Sequence, residues 1–243
     1  MRPLVAAFAF LTRLPVWAGP LLDTDLGRSV SFFPVVGLVL GLVLTGLASL
    51  LSGVLAPALT AVLLVALLAG MTGGLHLDGV ADVFDALGGG RGDRQRMLDI
   101  MRDSRIGAHG AAALILLLLA KVFAVAQLVA HRDLAALLAF PAVGRWAVTP
   151  AIVFFPYARA EGVGRAFSGE AGPLQVVIST VIALGVLAAL GVRLLVPAAG
   201  ALVAATVLAL WLRRRLGGLT GDVYGAVVEV AEVTMLTLAG VVL

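Results

Sequence analysis

The sequence predicts an all-α, polytopic integral membrane helix bundle of about seven transmembrane helices, with an interfacial helix at its N-terminus. Three observations carry that prediction. Of the 243 residues, 61% are hydrophobic and only 13% charged, and the mean hydropathy is +1.11. Soluble domains run nearer ~45–50% apolar and ~25% charged, so this chain has too few polar side chains to cover a soluble globule. Apolar runs close to the ~20 residues that a bilayer requires recur along its length. Its basic residues also segregate to one side when those runs alternate across a membrane.

The elements follow in order. Met1–Pro20 opens with Arg2 and the apolar run Leu4–Leu11, which Arg13 and Pro15 interrupt before any small-residue cleavage site. That pattern favours an amphipathic cytoplasmic helix at the interface over a signal peptide. Candidate spans follow at 32–52, 55–73, 109–130, 134–155, 173–192, 196–212 and 223–243. Gly37 and Gly41 form a small-residue packing face in the first of them. With the N-terminus in the cytoplasm, 13 of the 17 basic residues fall inside: Arg2, Arg13, Arg28, Arg91, Arg94, Arg96, Arg102, Arg105, Arg159, Arg165, Arg213, Arg214 and Arg215. Arg132 and Arg193 fall outside, while Lys121 and Arg145 lie within spans. The expectation is a multi-pass protein of the cytoplasmic (inner) membrane with its C-terminus outside. No linker or repeat divides the chain, so 1–243 reads as one integral domain. The absence of cysteine excludes disulfides, thiolate metal sites and cysteine nucleophiles. Nothing in the pattern calls for nucleic acid, and an oligomer is compatible with it.

Function concentrates between residues 73 and 107. Six of the 14 acidic residues fall there, Asp78, Asp82, Asp85, Asp93, Asp99 and Asp103, interleaved with Arg91, Arg94, Arg96, Arg102 and Arg105. Gly73 and Gly74 end the second span and begin a cytoplasmic catalytic loop of about 74–107. Asp78, Asp82 and Asp85 are spaced i, i+4 and i+7, which puts them on one stripe of a helix. Like charges so placed repel. A hard divalent cation, Mg²⁺ or alternatively Mn²⁺, compensates them better than an arginine beyond the Gly88–Gly90 run. A solvated acidic face is the plainer alternative. Asp93 predicts an N-cap for a second helix running to Met101, with Asp99 and Asp103 at i and i+4. Arg102 and Arg105 flank Asp103 and suit a diphosphate, because guanidinium forks match phosphate oxygens. Arg94 and Arg96 read as ordinary membrane-surface charge.

Three further features return to that face or lie beneath it. Pro156 to Gly164 is a turn carrying Arg159, and Gly217 to Asp222 is a glycine-rich approach to the last helix, placing Asp222 on the same membrane face as the aspartate stripe. Lys121, Arg145, Glu229 and Glu232 lie inside the membrane, where each isolated charge costs at least ~2.5–3.5 kcal/mol. They must face the bundle and pair; alternatively Glu229 borders a polar cavity for an amide-rich substrate. His76 adjoins the aspartates as a metal ligand or phosphate contact, whereas His109 and His131 read as interfacial.

Six motifs occur in fixed order: Phe10 to Val16, Phe33 to Gly37, Gly74 to Gly79, Met101 to Gly107, Pro156 to Arg159 and Gly218 to Asp222. Together they resemble the cobalamin synthase family over nearly the whole chain. His109 is a departure, standing where an aromatic ring is expected. The resemblance implies a membrane-embedded, Mg²⁺-dependent adenosylcobinamide-GDP ribazoletransferase of cobalamin biosynthesis. Its substrates are adenosylcobinamide-GDP and α-ribazole or its 5′-phosphate, and it releases GMP. Carried onto these residues, Asp78, Asp82, Asp85 and Asp103 are the expected metal ligands, with Asp82 also the base for the ribazole 3′-hydroxyl. His76, Arg102, Arg105, Arg159, Asp222 and Glu229 are the expected substrate contacts. The mechanism is also similar to that of the CDP-alcohol phosphotransferases, though the aspartate spacing differs.

Two other classes compete. A membrane prenyltransferase also binds Mg-diphosphate through aspartates, but needs a second such motif, which is unclear here. An ion-coupled transporter would use Glu229 and Glu232 as ion ligands, but lacks the repeated halves and broken midplane helices usual for that class.

Overall fold

A computed structural model describes residues 1–16 and 19–242 of the chain. Trp17 and Ala18, in the predicted N-terminal segment, and Leu243, at the end of the last predicted span, lie outside the described residues. The remainder is mostly helical, with no strand among the described residues.

Helix α1 (Arg2–Leu11) occupies the first half of the predicted interfacial segment and buries Ala6, Ala7 and Leu11. It packs on α2 (Asp23–Ser29), which runs through a 3₁₀ turn into α3 (Phe33–Leu51). The chain continues through α4 (Pro57–Thr72), α5 (Leu75–Gly89), α6 (Arg94–Ile100), α7 (Ala108–Ala130), α8 (Leu134–Ala147) and α9 (Thr149–Phe154). It closes with α10 (Val163–Glu170), α11 (Pro173–Leu190), α12 (Leu195–Leu216) and α13 (Gly221–Val241).

Six of these stretches, counting α2–α3 and α8–α9 as continuous, are long and apolar enough to cross a membrane. The protein is therefore a polytopic membrane helix bundle. The predicted span at 55–73 is met by α4, whose 16 residues reach about 24 Å at 1.5 Å per residue. That is short of a ~30 Å hydrocarbon core, so a seventh crossing is counted only if α4 and α5 are taken together. The axis turns by 91° between them. Gly73 and Gly74 make that turn with φ of +64° and +70°, a left-handed backbone that glycine alone adopts without strain. After the bend α5 packs over the first turns of α13 and then of α7, and it is not one of the six stretches long and apolar enough to cross a membrane by themselves.

Helix α13 is the central post, packing against α12, α5, α8 and α7. Helices α3 and α8 make the closest long pair. Gly37 and Gly41 are the reason, since a Cβ at either would strike the α8 backbone at Pro141 or Leu138. The predicted packing face is thus the α3–α8 seam.

Candidate active site

Two backbone joints shape the end of the bundle where α5 lies. At Gly79, a Cβ would run into the carbonyl of Asp222, and across the seam Gly225 faces the backbone of His76. These two glycines let α5 and α13 touch backbone to backbone. The second joint is a short parallel bridge between Tyr157 and Leu219. In it Ala158 N–H donates to the Leu219 carbonyl and Leu219 N–H donates to the Pro156 carbonyl, each at 2.8 Å. The bridge sets Arg159 beside Asp222, and the guanidinium donates to Asp222 Oδ2 at 2.7 Å. Thr220 caps α13, accepting from Val223 N–H at 3.3 Å.

A polar cavity of about 920 Å³ opens over these joints. Asp78, Asp82, Asp103, Asp222, Arg102 and Arg105 line it, together with Arg13. Burial and the like charges of Asp222 and Asp78 push the Asp82 carboxyl up to about 7. Asp103 behaves oppositely: hydrogen bonds from Arg105 hold it down at about 2, and that guanidinium donates to Oδ2 at 2.6 Å. Asp103 lies in the turn beyond α6, which stops at Ile100, so it does not share a helix face with Asp99. Asp93 is the N-cap of α6 as expected, accepting from Arg96 N–H at 2.9 Å.

Asp85 is engaged elsewhere. Its oxygens accept from Gly107 N–H at 2.7 Å and Gly110 N–H at 2.8 Å, so the carboxylate clasps the N-terminus of α7, where the helix dipole favours it. Among the described residues, no three carboxylates or imidazoles already converge as a ready-made ion site. Asp78, Asp82 and Asp222 share one cavity wall instead.

A second cavity of about 270 Å³ lies behind the first. Asp78 and Asp222 line both cavities. His76 borders the smaller one and is itself buried, with Nδ1 3.3 Å from an Arg145 nitrogen. An arginine can only donate, so Nδ1 accepts and this ring carries its proton on Nε2. Arg159 borders the same cavity.

Glu229 stands apart from both cavities. Lys121 Nζ donates to Glu229 Oε2 at 2.5 Å and to Glu232 Oε2 at 2.6 Å, and Arg145 pairs with Glu232. All four side chains are buried. The intramembrane charges therefore pair with one another, and both glutamates are already neutralised.

Sequence reasoning passed over four residues that the structure brings to the site. Arg13 lines the larger cavity, and its N–H donates to the Met71 carbonyl at 2.7 Å, tying α1 to the end of α4. Thr220 was signalled by its place ahead of Gly221-Asp222, a helix-start pattern. Tyr157 and Tyr224, the chain's two tyrosines, sit with ring centroids 6.4 Å apart on the smaller cavity; Tyr157 falls within the Pro156 to Arg159 motif, while nothing local marks Tyr224.

Comparison with known proteins decides the family. The family model described as cobalamin-5-phosphate synthase matches residues 3–240. The chain belongs to the cobalamin-5-phosphate synthase family. A relative from Pseudomonas fluorescens, named adenosylcobinamide-GDP ribazoletransferase, is 43% identical over 243 residues, covering 97% of this chain and 98% of its own. No solved structure matches the chain. Family membership makes the chain a transferase of cobalamin biosynthesis, and the prenyltransferase and transporter alternatives fall away.

Proposed function

We propose that this protein joins adenosylcobinamide-GDP to α-ribazole or its 5′-phosphate, releasing GMP, in a Mg²⁺-dependent reaction at the cytoplasmic face of the inner membrane. The observation that carries the reading is that Asp78, Asp82 and Asp222 line one cavity together with Arg102 and Arg105 in a membrane bundle of this family.

The ribazole 3′-hydroxyl attacks the phosphorus attached to the corrinoid, the bond from that phosphorus to the GMP oxygen breaks, and the hydroxyl proton must leave. Asp82, poised near neutrality, suits the role of acceptor for that proton. Arg102, Arg105 and Arg13 line the cavity and suit neutralisation of the diphosphate and the departing GMP. Like-charge crowding of Asp78, Asp82 and Asp222 fits a hard divalent cation. Asp85, bonded to two amides, and Asp103, held by Arg105, have less to offer one. When bound, Mg²⁺ supplies charge neutralisation at the diphosphate. His76 supports α5 from beneath through its contact with Arg145.

The test is GMP release by detergent-purified protein. Release is expected only with both substrates and Mg²⁺ present, to stop with EDTA, and to return with Mg²⁺ or Mn²⁺. Asp82→Asn is expected to lower turnover by at least about 10²-fold, the low end for loss of a general base, while the protein stays folded. GMP release that ignores α-ribazole would sink the reading.

A further inference from the structure

We propose that the 270 Å³ cavity is the site of the acceptor nucleoside, holding its flat aromatic base and ribose, with the Tyr224 hydroxyl and Arg159 as the contacts that set specificity. This rests on the ribazoletransferase reading and assigns one of its two substrates to a place.

Size comes first. At about 270 Å³ the cavity lies just under the ~300–1,000 Å³ typical of drug-sized ligand sites. A corrin ring is far too large for it, whereas one bicyclic base with part of its sugar is of the right scale. The walls come next. Phe10, Phe33 and Phe167 line it as an interlocked group, with centroids 4.4 Å apart for Phe10–Phe167 and 5.9 Å for Phe33–Phe167. Ile152 and Val228 add aliphatic surface. Such walls favour a planar aromatic guest that packs against ring faces and edges. The base of α-ribazole, a benzimidazole, carries no exocyclic polar group, so an apolar wall leaves nothing on it unpaired. Guanine, the other flat base in the reaction, has an amide edge that would lose its partners here.

A separate observation points to a guest. Tyr224 is only 8% exposed, and its hydroxyl has no hydrogen-bond partner. Arg159 donates to Asp222 through one terminal nitrogen, yet its Nε is also buried without a partner. Both residues border this cavity. Buried polar groups are rarely left unpaired, and two on one cavity fit the hydroxyls, or the 5′-phosphate, of a ribose. Asp78 and Asp222 border both cavities, so a base seated inside leaves its sugar at the junction, facing the diphosphate.

The experiment is steady-state GMP release by the full-length protein with each substrate varied in turn. Tyr224→Phe removes an unpaired hydroxyl and should leave thermal stability unchanged. It should raise KM for α-ribazole by about 3- to 10-fold, the value of one neutral hydrogen bond, without moving KM for adenosylcobinamide-GDP. Alongside it, fluorescence titration of α-ribazole into wild type should show binding that Ile152→Trp, which fills the cavity, abolishes. A rise in KM for the GDP-corrinoid instead, or unchanged ribazole binding in both variants, overturns the proposal. If wild type releases no GMP, the transferase reading has failed, and the titration still decides the cavity: saturable ribazole binding lost in Ile152→Trp supports it, and no binding overturns it.

Discussion

Burial, with the like charges of Asp222 and Asp78, pushes the Asp82 carboxyl up to about 7, so near neutral pH about half the molecules carry a proton there. A cation bound beside it favours the ionised form, and proton and metal therefore compete. The sign follows: metal binding is weakened below pH 7, strengthens as pH rises through 7, and levels off above it. For one competing proton at that value, affinity should be about tenfold higher at pH 8 than at pH 6. Mn²⁺ binding followed by electron paramagnetic resonance measures this without needing turnover, and Asp82→Asn should flatten the dependence. A wild-type affinity unchanged between pH 6 and 8 would separate Asp82 from the cation. Asp103, held at about 2 by Arg105, stays ionised throughout this window and contributes nothing to it. The stripe of Asp78, Asp82 and Asp85 was legible because i, i+4 and i+7 spacing is local geometry. The different partners of its members were not. Asp85 finds its amides at Gly107 and Gly110, and Asp82 comes under the charge of Asp222, relations that only packing creates.

Helix α5 is held where it is by glycine. Its crossing with α13 depends on Gly79, where any Cβ meets the Asp222 carbonyl, so Gly79→Ala must push the two helices apart. Overpacking of this kind costs about 1–3 kcal/mol. The larger expected effect is on turnover, because Asp78, Asp82 and Asp222 ride on the two displaced helices, and a shift of about 1 Å can cost 10²-fold. Gly70→Ala is the control, since a Cβ there meets nothing within 4 Å and alanine improves the helix by up to ~1 kcal/mol. Rates and thermal unfolding of both variants check the contrast; wild-type turnover in Gly79→Ala would show that the close crossing is dispensable. The helices themselves were largely readable. The predicted span 109–130 appears as Ala108–Ala130 and 173–192 as Pro173–Leu190, because long apolar runs end sharply at glycine, proline and charge. The direction of α5 was not readable. Periodicity says which residues share a face, but not where the axis points after two left-handed glycines.

Across the whole bundle, four buried charges join three spanning helices: Lys121 on α7, Arg145 on α8, and Glu229 and Glu232 on α13. Two cations face two anions, so the cluster is neutral, and its contact with His76 carries the connection up to α5. Each charge alone would cost at least ~2.5–3.5 kcal/mol in lipid, but the balanced set need cost little. Glu232 touches both cations, so Glu232→Gln leaves Lys121 and Arg145 sharing one glutamate. Removing one partner of a buried pair typically destabilises by about 3–5 kcal/mol, and the thermal midpoint in detergent should fall accordingly. Adding Arg145→Met restores neutrality, leaving the Lys121–Glu229 pair at 2.5 Å. The double variant should regain most of the lost stability, a coupling that a double-mutant cycle isolates. A double variant as unstable as the sum of its parts would mean that side-chain shape, and not charge balance, makes these residues necessary. Recovery would mean the bundle tolerates ions in its centre because they come in matched numbers.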